Sequence, residues 1–68
     1  MDNAQLFEAL ERFRLERDLT YRELSTRLGL SESTVIRMIA RGSGGIKRTR
    51  FKVWRLLQSE GIDVKQVA

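Results

Sequence analysis

Sixty-eight residues, with 13 Lys and Arg against 9 Asp and Glu for a net charge of +4, make one small domain, near the size at which packing alone can hold a chain folded. Cys and His are both absent, which excludes disulfides and zinc sites, and the Ser residues lie at helix caps and turns with the acids scattered, so no enzyme, metal or cofactor is expected. No apolar run approaches a membrane span and the opening MDNAQ lacks the order of a secretory signal, so a soluble, cytoplasmic protein without a membrane partner is expected.

Asp2 can cap a first helix, with Gln5 three residues on as its capping-box partner; Leu6, Leu10 and Phe13 then share one face, and the helix should end near Arg17 or Asp18. Thr20 is the next cap, with Glu23 at the third helical position. Leu24 and Leu28 form the buried stripe of this second, two-turn helix, which Gly29 closes in a left-handed turn. Ser31 caps a third helix that carries Val35, Met38 and Ile39 and ends in a basic last turn at Arg41 and Gly42. Residues 43–47 read as a loop on composition, and a last helix runs from Thr49 with Val53, Trp54 and Leu57 inward until Glu60 and Gly61. Ile62, Val64 and Val67 form an apolar tail. With no Pro and no alternating β-branched runs, the fold class is all-α, four to five helices in a single domain over residues 1–68.

The charge is unevenly placed. Residues 1–34 hold five Arg against seven acids, whereas residues 35–68 hold eight cations against two. Between Ser33 and Ser59 no acid interrupts Arg37, Arg41, Lys47, Arg48, Arg50, Lys52 and Arg55, a one-sided field that suits a polyanion or an anionic membrane surface. Within this asymmetry, "TYRELSTRLGLSESTVIRMIARG" at residues 20–42 places two short helices around Gly29, with small Ser25 where they approach and Leu24, Leu28, Leu30, Val35 and Met38 inward. That is the pattern of a helix-turn-helix, whose second helix projects outward.

On "LTYRELSTRLGLSESTVIR" and the basic "KRTRF" at residues 47–51, the chain resembles the lambdoid phage repressor and Cro group of helix-turn-helix DNA-binding domains over roughly residues 6–64. The resemblance implies a dimeric transcriptional regulator, a repressor or autorepressor on a palindromic double-stranded DNA operator, with no small-molecule ligand. It puts Glu32, Ser33 and Arg37 where side chains meet base edges. Arg37 suits guanine O6 and N7; Glu32 suits cytosine N4 or, equally, complements the helix dipole. Backbone phosphates fall to Tyr21, Ser31, Thr34, Arg41, Lys47, Arg48 and Arg50, the last three in a basic loop over 43–50. Tyr21 has packing on helix one as its other reading, and Ser31 has capping. For the dimer contact the candidates are Trp54, Leu56, Ile62, Val64 and Val67, although the tail residues Ile62, Val64 and Val67 could equally pack on their own subunit. Related sequences pair an Arg in helix one with an acid, yet no such partner stands out for Arg14. An antitoxin-like module that binds a protein partner and its own promoter is the alternative.

Overall fold

The computed structural model describes residues 3–42 and 47–62. They form α1 (Asn3–Glu16), α2 (Tyr21–Leu28), α3 (Glu32–Arg41) and α4 (Lys47–Ser59), with no strand among the described residues. The all-helical class read from periodicity is the one observed. The expected cap Asp2, the loop residues 43–46 and the tail residues Val64 and Val67 lie outside the described residues.

Local chemistry sets the ends of α2. Thr20 Oγ1 accepts from the Glu23 amide at 3.1 Å while Glu23 Oε1 accepts from the Thr20 amide at 2.9 Å, a complete capping box. The backbone amide of Thr20 first, then its hydroxyl, holds the Glu23 carboxyl below the ordinary glutamate pKa. With the folded pKa the lower one, what this contact adds to stability is complete above the unfolded pKa and disappears as pH falls through the folded value. Thr20→Ala is expected to cost about 1 kcal/mol by urea unfolding. An NMR titration of the same variant should show the Glu23 pKa climbing back toward its ordinary value.

Gly29 closes α2 at φ 71°, and its amide and that of Leu30 return to the Thr26 and Ser25 carbonyls. A Cβ at this position would meet nothing nearer than the Lys52 ammonium at 4.0 Å, an ordinary contact, so any penalty of substitution is one of backbone conformation. Gly29→Ala should therefore lower stability by about 1 to 2 kcal/mol with an unchanged denaturant slope.

The same reversal recurs at α1 and α4. Asp18 is left-handed at φ 55°, and Leu19 N donates to Arg14 O at 3.0 Å; after Gly61, Ile62 N donates to Leu57 O at 3.0 Å. In each case the residue after the left-handed one is apolar, Leu19, Leu30 or Ile62, and it folds back against the core. Ile62, read as either a dimer contact or a residue packed on its own subunit, is half-buried on its own chain.

Phe7, Phe13, Leu6 and Leu10 of α1 meet Leu24 and Leu28 of α2, Val35 and Met38 of α3, and Val53 and Leu57 of α4 in one buried cluster. α3 packs on α1 and α2, and α4 packs on α1 and α2. Ser25 is buried where α2 meets its neighbours, its hydroxyl turned back to Arg22 O at 2.7 Å. One boundary differs from the sequence reading: α4 opens at Lys47 instead of Thr49, so the second half of the expected 43–50 loop is helical. Thr49 is buried in the first turn of α4, where tertiary packing holds a residue whose local preference is to cap.

Candidate functional site

α3 buries Val35 and Met38 and turns its opposite side outward. Glu32, Ser33, Ile36, Arg37, Ala40 and Arg41 are all exposed and follow one another along that side at helical spacing. The expected base-reading set of Glu32, Ser33 and Arg37 therefore shares one outward face, and Arg41 extends it by a turn. Arg37 and Arg41 have no carboxylate partner among the described residues.

At the start of α3 three hydroxyls gather. Ser31 Oγ accepts from the Thr34 amide at 3.2 Å, lies 2.6 Å from Thr34 Oγ1 and lies 3.4 Å from Ser33 Oγ. Ser31 is thus the cap, and Thr34 hangs on it at the flank of the helix. Glu32 stands 3.8 Å from Arg22 Nε across the junction with α2, a loose and exposed ion pair that holds the carboxylate at the outer edge of the face.

Arg14 has the partner that the sequence left unassigned. Its guanidinium grips Glu11 three residues earlier through Nε and Nη2, donates from Nη1 to Leu19 O at 2.9 Å, and lies 4.2 Å above the Tyr21 ring. The hydrogen bond to Glu11 raises the Arg14 pKa further above its already high value. Tyr21 completes the group by donating its hydroxyl to Glu11 Oε2 at 3.2 Å. The Tyr21 hydroxyl is thereby engaged on α1, leaving the first amides of α2 as this position's groups for an anion.

The cations of the "KRTRF" segment sit in the first turn of α4. Lys47 and Arg48 are exposed and Arg50 is half-buried. That turn contains no acid, so its positive side chains crowd the positive end of the helix dipole. Further along, Phe51 stacks on Trp54 at 5.5 Å between ring centroids, and Arg55 lies 5.9 Å above the Phe51 ring. Trp54 and Leu56, both dimer candidates, are half-buried against the core, and the buried Trp54 Nε1 has no hydrogen-bond partner among the described residues. An open groove of about 300 Å³ separates α2 from α4, lined by Arg27, Leu28, Lys52, Arg55, Leu56 and Ser59. Arg27 is tied to Glu60 at 3.1 Å, and the same carboxylate holds Arg17 at 3.3 Å.

Sequence reasoning missed Ile36 and the Arg14–Glu11–Tyr21 group. The signal for the first was present, an apolar residue off the buried stripe of α3. For the second, the packing of Tyr21 on helix one was one of its two readings, and the spacing of three between Glu11 and Arg14 was visible but not used.

No helix among the described residues is long and apolar enough to cross a membrane. The family model for winged helix-turn-helix DNA-binding domains matches residues 3–41, the three-helix unit from the start of α1 to the end of α3. No curated protein and no solved structure gives a match.

Proposed function

The chain belongs to the winged helix-turn-helix DNA-binding family, and from that membership we propose a sequence-specific transcriptional regulator. In this reading it is a Cro-like repressor or autorepressor that binds a palindromic operator as a dimer, in the cytoplasm of a bacterial cell or phage-infected host. What supports it best is the pairing of two surfaces: the outward side of α3, with Arg37 and Arg41 unpaired by carboxylates among the described residues, and the acid-free, cation-crowded first turn of α4.

Arg37 donates its two parallel hydrogen bonds to a guanine, Ser33 approaches a neighbouring base edge, and Glu32 accepts from a cytosine amino group. Arg41, Lys47, Arg48 and Arg50 neutralise phosphates, joined by Thr34, by Ser31 and by the opening amides of α2 at Tyr21. A second copy related by a two-fold axis repeats these contacts one helical turn away, using apolar residues among Trp54, Leu56, Ile62, Val64 and Val67.

Selection from a random duplex library at about 150 mM salt tests this reading. A palindromic motif with half-sites about 34 Å apart is the expected result. The groove between α2 and α4, with cationic walls and an apolar floor of Leu28 and Leu56, favours one second reading, an antitoxin-like module that takes an acidic protein segment. A bound pool without any motif, held only at low salt, would favour that module over an operator-binding regulator.

A further inference from the structure

Ile36 is 40% exposed on the outward side of α3, in the middle of the set Glu32, Ser33, Arg37 and Ala40. It lies off the stripe of Val35 and Met38 that fastens α3 to the core. An exposed helix position favours a long polar residue, and a β-branched side chain there gives up helix propensity while leaving apolar surface in water. The other two large exposed apolar residues among the described ones are differently placed: Phe51 stacks on Trp54, and Leu15 is on α1.

In the major groove, the apolar group that a base presents is the C5-methyl of thymine, and burying a methyl against an aliphatic side chain is the apolar counterpart of the arginine–guanine pair. Resting on the proposed DNA-reading role of α3, we propose that Ile36 is a specificity-determining residue that packs on a thymine methyl in each operator half-site. Ala40, one turn on, is short enough to let the helix approach that methyl closely. Ile36 and Arg37 are adjacent, about 1.5 Å apart along the helix against about 3.4 Å per base pair, so the thymine belongs to a base pair beside the guanine that Arg37 reads. The half-site therefore includes a guanine and a neighbouring thymine among the bases that α3 reads.

Replacing thymine by deoxyuridine, one position at a time, in a duplex carrying the selected motif removes the methyl and leaves every hydrogen-bonding group in place. Wild-type protein should lose about three- to tenfold in affinity at one thymine per half-site. Ile36→Ala should bind the thymine and deoxyuridine duplexes equally at that position, while Ile36→Val, which keeps a branched apolar side chain, should retain most of the discrimination. Circular dichroism of each variant establishes that it is folded. If wild type ignores the methyl at every thymine, or if Ile36→Ala still distinguishes the two duplexes, the assignment is overturned while the operator-binding role stands. A selection that yields no motif overturns that role itself.

Discussion

Phe7→Ala should leave the domain largely unfolded at 37 °C, whereas Leu15→Ala, on the same helix, should melt within a few degrees of wild type. Phe7 is fully buried among the residues that join all four helices, and Leu15 is 62% exposed. Emptying a phenylalanine site costs about 3 to 5 kcal/mol, through lost burial and the cavity left behind. A chain of this length has about 3 to 10 kcal/mol of total stability, so the substitution removes most or all of it. Exposed truncations stay within about 0.5 kcal/mol. Thermal unfolding followed by circular dichroism measures both, and a Phe7→Ala melting point near that of wild type would contradict the central place given to Phe7. DNA adds a second readout. A duplex at about one hundred times its Kd binds only the folded form and should restore about 2.7 kcal/mol, so the variant should refold on DNA if its outer surface is intact.

Phe7 also marks a limit of what the sequence discloses. Leu6, Leu10 and Phe13 follow a single-stripe pattern, and that stripe is buried as read. A helix pressed from two sides, as α1 is by α3 and α4, needs a wider apolar face, and the second flank becomes visible only when both neighbours are in place. The helix ends were legible where their chemistry is local. Thr20 with Glu23, Ser31, Gly29 and Gly42 all cap as their residue types dictate. Thr49 misled for the complementary reason: burial overrode its capping preference, and α4 began two residues earlier. Ile62 had two open readings, a dimer contact or packing on its own subunit, and the left-handed Gly61 before it favours the second, since an apolar residue directly after a helix-ending Gly commonly folds back onto its own helix. At the site, the resemblance to the repressor and Cro group picked out Glu32, Ser33 and Arg37, and their helical spacing agrees with one shared outward face. The pairing of Glu32 with Arg22 and of Tyr21 with Glu11 depends on contacts between helices that spacing does not contain.

Arg37 and Arg48 separate specificity from affinity, and their removal should have different consequences for the free protein. Arg37→Ala should cost about 1 to 3 kcal/mol per half-site on the selected operator and little on unrelated DNA, because the guanine contact is lost while phosphate contacts persist. Free-protein stability should barely change, since Arg37 is exposed and has no carboxylate partner among the described residues. Arg48→Ala should weaken every duplex alike and flatten the dependence of log K on log salt by about 0.9 per half-site. In the free domain, however, Arg48 stands with Lys47 in an acid-free first turn against the positive end of α4. Removing its charge should therefore stabilise the unbound protein by about 0.3 to 1 kcal/mol at low ionic strength. A residue that destabilises the free fold and strengthens the complex is the signature of a charge placed for an anion that arrives later. If Arg48→Ala lowers the melting point and leaves DNA affinity unchanged, the first turn of α4 is not a phosphate surface. If Arg37→Ala weakens operator and unrelated DNA equally, α3 does not read bases through this residue.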